Sequence, residues 1–354
     1  MHPMGELQLP VPDGVPVTTP PPPGTSIRDL LAHIQWRKVL EQLAPAIALG
    51  LGILSQVYAK HTIAFAPKAV ALLAVAWALA AGLGEWLPEA KPDETHARWR
   101  NFLRRAAATV TVGLFRNVLF FLVPIWFASA TLGSANMLAP IVLAAVALYT
   151  CFPNTFRQRM LEHPRIRTLY CSSVLFVALV PAAAVETSAS PRLSAALAAA
   201  AAWLASSLAT SRAPLMTRVG RLELGFGALV AGLILALAAP LLPPVPVACS
   251  ESATGTAIVD REIAGVADRF PAGTKRVYAW FAVHVPRHYR QGIRFEWYRD
   301  GEEVASHAAG AVVGGREQGY RTSSSTLSPK PGSWRVDLLT DASQLIARQT
   351  FVVE

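Results

Sequence analysis

Seven apolar stretches, at approximately 39–58, 65–86, 108–132, 137–152, 168–186, 193–210 and 222–242, fill most of the first 242 residues of this 354-residue chain. As a helix, a segment of roughly 20 apolar residues spans the ~30 Å hydrocarbon core of a bilayer. No water reaches the backbone there, so each segment must pair its own N–H and C=O groups. The pattern predicts an α-helical integral membrane bundle of about seven transmembrane helices over 27–242. Lys and Arg fall in alternate loops. Arg28, Arg37, Lys38, Lys91, Arg98, Arg100, Arg104, Arg105, Arg157, Arg159, Arg165, Arg167, Arg212, Arg218 and Arg221 share one side, and Lys60, Lys68 and Arg192 the other. Short loops rich in Lys and Arg stay cytoplasmic. The N-terminus is therefore expected inside, and an odd number of spans carries everything after about Pro246 outside.

A hydrophobic share of 53% with 16% charged residues excludes a large soluble enzyme as the body of the chain. The net charge of +9 invites a nucleic-acid reading. Residues 1–249 hold 19 Lys and Arg against 11 Asp and Glu, whereas 250–354 hold 13 against 12. The excess thus belongs to the membrane half, where it sets topology, and nucleic acid is not an expected partner. Residues 1–26 hold eight prolines, including Pro20 to Pro23, and read as a disordered, Pro-rich cytoplasmic tail. The tail lacks the charged start and apolar core of a secretory signal, so targeting is expected from the first membrane helix. The three cysteines form no framework. Cys249 falls on the oxidising side without an intrachain partner there, leaving acylation, an intermolecular disulfide or an idle thiol open.

Within the membrane half, Ser26-Ile27-Arg28-Asp29 reads as a capping box opening an amphipathic lead-in. Small residues four apart, Ala46 with Gly50, Ala48 with Gly52, Gly227 with Ala231 and Ala228 with Gly232, mark faces where helices approach closely. Arg116 stands apart. It lies eleven positions beyond Arg105, about 16 Å along a helix, with Asn117 beside it and Pro124 as a kink. A charge at that depth faces the bundle interior or water. It either snorkels to the headgroups and serves stability, or forms a ligand, anion or lipid-headgroup site. No carboxylate sits at mid-membrane and no two His, Asp, Glu or Cys share a helix face there, which argues against a proton path or a catalytic pair.

After Thr254 the period becomes two. Val277, Ala279, Phe281 and Val283 alternate with Tyr278, Trp280 and His284, while Ile293, Phe295 and Trp297 alternate with Arg294, Glu296 and Tyr298. Such segments are half-buried strands of an antiparallel sheet. Asp300-Gly301 predicts a two-residue hairpin turn. About seven strands over 254–354, following a linker at 243–253, suit an all-β immunoglobulin-like sandwich.

Four patches carry a resemblance: Val277-Tyr278-Ala279-Trp280-Phe281, Trp297-Tyr298-Arg299-Asp300-Gly301, Gly319-Tyr320-Arg321-Thr322-Ser323 and Gly332-Ser333-Trp334-Arg335-Val336-Asp337. In these the chain resembles an uncharacterised bacterial family of multi-pass membrane proteins with a C-terminal all-β domain of unknown function. The resemblance implies a bacterial inner-membrane location with the β domain in the periplasm. It supplies no catalytic residue.

Candidate ligand contacts in the outer domain are His284, Arg287, His288, Tyr289, Arg290 and Arg294, with Arg316 and Arg321 around Gly314-Gly315 as a second cluster. Loops bearing Arg and aromatic residues hold phosphates, acidic sugars or acidic partners. Beside a membrane they also meet anionic headgroups. No metal or cofactor set and no Ser/His/Asp constellation is read. The expected function is non-enzymatic binding or scaffolding in the envelope, with membrane lipids and other envelope proteins or an acidic periplasmic ligand as partners. The alternative is a small-molecule or lipid transporter or sensor with its site around Arg116.

Overall fold

A computed structural model describes residues 115–152, 164–187, 190–210, 217–287, 289–316 and 318–354, together with 47, 49, 50 and 99. The tail at 1–26, the stretch 65–86 and nearly all of 39–58 lie outside the described residues. Helix α1 is Phe115–Ala128. Helix α2 is Leu138–Tyr149, led in by a 3-10 turn at Ala135–Met137. Helices α3, Pro164–Thr187, and α4, Pro191–Thr210, follow. Helix α5, Arg218–Ala238, continues into a 3-10 turn at Ala239–Leu241. Its first turn is capped by Thr217, whose hydroxyl accepts from the Gly220 N–H at 2.9 Å, satisfying one of the donors that a helix start leaves unpaired.

The expectation of seven spans is corrected. Among the described residues two helices are long and apolar enough to cross a membrane, over Thr168–Val185 and Arg218–Leu241. The apolar stretches nearest α1 and α2 yield shorter helices, Phe115–Ala128 and Ala135–Tyr149. At 1.5 Å per residue the second covers roughly 20 Å, short of the ~30 Å core, while 108–114 of the first stretch lie outside the described residues. The Leu132-Gly133-Ser134 break, with Gly133 at φ +73°, separates α1 from the 3-10 turn that leads into α2.

The helices pack around Leu119, Leu122, Trp126, Val174 and Ala202. Pro181 lies inside α3. It has no N–H, so the carbonyl four residues earlier loses its helical partner. That carbonyl belongs to Val177, and the Trp126 indole N–H donates to it at 3.3 Å. The close-packing reading of α5 holds at two glycines. Trp203 of α4 lies over Gly227, where an added Cβ would fall 2.7 Å from its Cε2, and the Ala196 carbonyl would meet one on Gly232 at 3.2 Å.

Ten strands follow: β1 Ala248–Gly255, β2 Ala257–Val259, β3 Glu262–Ala264, β4 Arg269–Phe270, β5 Arg276–His284, β6 Arg290–Arg299, β7 Glu302–Val313, β8 Tyr320–Leu327, β9 Gly332–Thr340 and β10 Leu345–Val353. They form a three-stranded sheet in the order β1-β5-β8, a five-stranded sheet in the order β4-β10-β9-β6-β7, and the separate hairpin β2-β3. The inward residues of the two larger sheets share one core: Val277, Phe281 and Val283 from one, Phe295, Trp297, Val336 and Phe351 from the other. Phe281 and Phe295 meet across the gap at 5.9 Å between ring centres.

Seven long strands divide between the two packed sheets as in an immunoglobulin-like sandwich, with three short strands added, and the order differs from the constant type at one strand. In the constant-type order the fourth long strand joins the first sheet, but β7 pairs with β6. The cause is the turn. Asp300 and Gly301 both take positive φ, +51° and +89°, the two-residue geometry that folds a chain straight back on itself. The domain also starts earlier than 254, since β1 takes up residues read as linker. The remaining linker is a buried seam in which Val245 joins the helical core and Val247 the β core, with Ala184 of α3 also reaching the latter.

Hydrogen bonds fasten the β9–β10 turn to the helix ends. Asn136 Nδ2 donates to the Leu345 carbonyl at 2.9 Å, while Asn136 Oδ1 accepts the Thr131 N–H at 3.1 Å. Thr131 Oγ1 donates to the Ile346 carbonyl at 3.1 Å. Gln344 Nε2 reaches the Ala239 and Leu242 carbonyls beyond α5, at 3.0 and 3.3 Å. The β domain is thereby set on the ends toward which α1, α3 and α5 run.

Candidate functional site

Two loops and one hairpin build the site on the outer side of the three-stranded sheet. The loops β5–β6 and β7–β8 are joined where the Gly314 N–H donates to the Tyr289 carbonyl at 3.1 Å. Gly314 presses so closely on the Pro286 carbonyl that a side chain has no room. Gly315 and Gly319 turn the second loop with φ of +95° and +76°, conformations open to glycine at little cost. An added Cβ on Gly315 would touch Arg287 Cγ at 3.4 Å, and one on Gly319 would lie 3.3 Å from His284 Nε2. The two clusters read from the sequence, His284 with Arg287 and Arg316 with Arg321, therefore meet.

The hairpin β2–β3 adds a residue that sequence reading missed. Asp260 and Arg261 form its turn with φ of +50° and +67°, and the Trp280 indole donates to the Arg261 carbonyl at 2.8 Å. This clamps Arg261 over the sheet. Asp-Arg is a poor turn signature beside Asn-Gly or Asp-Gly, and the whole of 257–264 reads by composition as one strand. The outcome is an open cleft of about 540 Å³ lined by Arg261, Arg316, Gln318, Gly319, Tyr320 and Arg321. Arg321 pairs with Glu262 across the hairpin. The Arg316 guanidinium lies 5.0 Å over the Tyr320 ring, a cation–π contact that orients it. Among the described residues, Arg261 and Arg316 show no carboxylate partner.

Other expected site residues lie elsewhere. Tyr289 is core: its hydroxyl donates to Gln291 Oε1 at 3.2 Å, and burial holds the phenol pKa above its ordinary value. Arg290 is exposed at the start of β6. Arg294 belongs to the outer face of the five-stranded sheet, bonded to Glu296 at 2.9 Å and to Ser343 at 3.0 Å. His288 lies outside the described residues. On that same outer face the Asp337 carboxylate accepts two bonds from Arg348, at 2.7 and 2.8 Å, and Arg335 approaches at 3.4 Å. Those bonds hold the Arg348 guanidinium pKa above its ordinary value. Arg335 also covers Tyr298, 3.9 Å from the ring centre. Each arginine of this ladder already has a carboxylate partner, Glu296 or Asp337.

In the helices, Arg116 sits close enough to Tyr170 for its charge to act on that hydroxyl, and the neighbouring Phe115 ring meets Tyr170 edge-on at 6.2 Å. Arg116 is thus level with the first turns of α3, near the start of its apolar stretch rather than midway along it. Among the described residues, the buried Asn117 Oδ1 atom has no hydrogen-bond partner. Cys249 is half-buried against the β core, its thiol donating to the Glu251 carbonyl at 3.2 Å, and burial pushes its pKa up to about 11. Among the described residues no cluster of three His, Cys, Asp or Glu could hold a metal ion.

No curated protein matches the chain. The stretch shared with one known family runs from the start of β6 to the end of β10, taking in Arg316 and Arg321 of the cleft and leaving out Arg261 and Arg287. Those residues, 290–353, match the family described as protein of unknown function (DUF2914), and the chain carries a domain of that family at its C-terminus.

Proposed function

We propose that this chain is a non-enzymatic binding or scaffold protein of the bacterial envelope, anchored in the inner membrane by its apolar helices. The β-rich domain is its recognition module on the periplasmic side. One observation carries the membrane assignment. Along α5, Val219, Leu222, Phe226, Leu229, Leu233 and Leu237 stand between 59 and 74% exposed. Their spacing of three and four puts them on one helix face. That stripe runs most of a helix long enough to cross a bilayer, and exceeds the apolar patch a soluble monomer ordinarily shows. Lipid tails are the medium that removes it from water.

Charge supports the orientation. Arg165 and Arg167 precede the apolar stretch of α3, and Arg218 and Arg221 open α5. All lie at the ends away from the β domain, and the opposite end of this helix pair carries Arg192 in the first turn of α4. Cytoplasmic loops keep Arg and Lys, which leaves the β domain outside. The recognition role is supported by the polar seam through Asn136 and Gln344, which holds the module at a set angle, and by the basic cleft.

The test is carbonate extraction combined with an alkaline phosphatase fusion after Glu354. Retention in the membrane pellet with phosphatase activity is expected. Release by carbonate, or an active fusion only with a cytoplasmic reporter, refutes the assignment. Mild-detergent purification of the intact chain then identifies what binds. If Arg116→Leu alone abolishes the cellular phenotype while a chain lacking 254–354 keeps it, a site in the helices replaces the scaffold role.

A further inference from the structure

We propose that the cleft between the β2–β3 hairpin and the β7–β8 loop is a phosphate-binding site, filled by the headgroup phosphate of an anionic lipid. This rests on the membrane assignment above for the source of the phosphate, though not for the chemistry.

Three arginines, Arg261, Arg316 and Arg321, line one cleft. Glu262 neutralises one of them. Two positive charges remain at an open mouth, and Glu317, next to Arg316 in the chain, lies outside the described residues. Guanidinium suits phosphate because it stays charged at any physiological pH and presents a planar fork that meets phosphate oxygens in pairs. The site is also built rather than incidental. Arg261 is fixed by the Trp280 bond to its carbonyl, Arg316 is seated on Tyr320, and the Gly319 N–H closes the loop on the Arg316 carbonyl at 3.1 Å.

Place decides the source. Strand β5 runs antiparallel to β1 with His284 opposite Ala248, and Tyr320 of β8 lies opposite Val283. Ala248 is where the chain enters the domain from α5. The Arg316-to-Arg321 side of the cleft is therefore on the rim nearest the helix ends, two strand spacings, or roughly 10 Å, from β1. With α5 in the bilayer that rim meets the headgroup layer. Arg287 flanks it and extends the positive edge, with His284 beside Gly319.

The experiment is native mass spectrometry of the full chain in detergent, offered phosphatidylglycerol, phosphatidylcholine or inorganic phosphate. It compares the wild type with Arg261→Gln/Arg316→Gln. Both residues are exposed, so folding is preserved, and an unchanged near-UV circular dichroism spectrum confirms it. Arg294→Gln, one charge fewer on the opposite sheet, serves as control. The expected result is retention of phosphatidylglycerol over phosphatidylcholine in wild type and control, about tenfold weaker in the double variant. Binding of inorganic phosphate without the lipid, lost in the double variant, keeps the phosphate site and assigns it a soluble ligand. Equal retention of every probe by wild type and double variant overturns the proposal. Carbonate extraction reports separately on the membrane assignment, so a peripheral chain that still binds phosphate refutes only the latter.

Discussion

Replacing Asn136 by Ala is expected to loosen the β domain from the helix ends. The side chain is 2% exposed and satisfies two groups at once, the Leu345 carbonyl and the Thr131 N–H. Each bond contributes about 1 kcal/mol net, and a buried carbonyl left without a donor costs about 1–3 kcal/mol more. The total is about 3–5 kcal/mol, or on the order of 6–20 °C in Tm for a cooperative unit of roughly 150–250 residues. Asn136→Asp separates the two bonds. A carboxylate still accepts from Thr131 but turns negative charge on the Leu345 carbonyl, so its loss should be the larger one. The assay is hydrogen exchange on the full chain in detergent, with thermal unfolding alongside. Faster exchange should concentrate at 130–136 and 341–346 and spare the sheet amides of β6 and β9. If Asn136→Asp matches wild type in exchange and Tm, the Nδ2 bond does not hold the seam.

Three further outcomes follow from particular contacts. Trp126→Phe removes the donor to the Val177 carbonyl opposite Pro181 and should cost about 1–3 kcal/mol, read as a lower unfolding midpoint, and the loss should vanish in a Trp126→Phe/Pro181→Ala chain. Asp337→Ala strands Arg348 and Arg335, whose side chains are 28 and 35% exposed. Water then rehydrates part of their charge, so the destabilisation should fall below that of a fully buried pair, at about 2–3 kcal/mol. Cys249, with its thiol pushed up to about 11, should react with iodoacetamide far more slowly at neutral pH than the exposed Cys151, its rate still rising with pH above 9. Fast, pH-independent labelling of Cys249 refutes the buried-thiol assignment.

Periodicity made the strands legible. A sheet with one face in a core imposes alternation residue by residue, so β5, β6, β9 and β10 fall close to where the pattern predicted them, with Trp297 and Trp334 in the core. The Asp300-Gly301 turn was equally plain because its geometry is set by two adjacent residues. Helix length was not legible: an apolar window looks alike whether it crosses a bilayer or packs as a short helix. The partner of Pro181 was hidden for a similar reason, since Trp126 reaches it from another helix.

The site divides along the same line. Its chemistry, arginine and aromatic residues in the loops after β5 and β7, is a matter of composition that the sequence by itself determined, as is the charge asymmetry between alternate loops of the apolar half. The tertiary structure alone decided which arginines act together. Arg261 joins Arg316 and Arg321 because Trp280 clamps the hairpin over the sheet. Arg294 leaves the group because alternation turns it to the opposite face, where Glu296 and Ser343 bind it. Residue type fixes what a side chain can do, but pairing across strands fixes its neighbours, and a charge binds a ligand only where those neighbours have not already neutralised it.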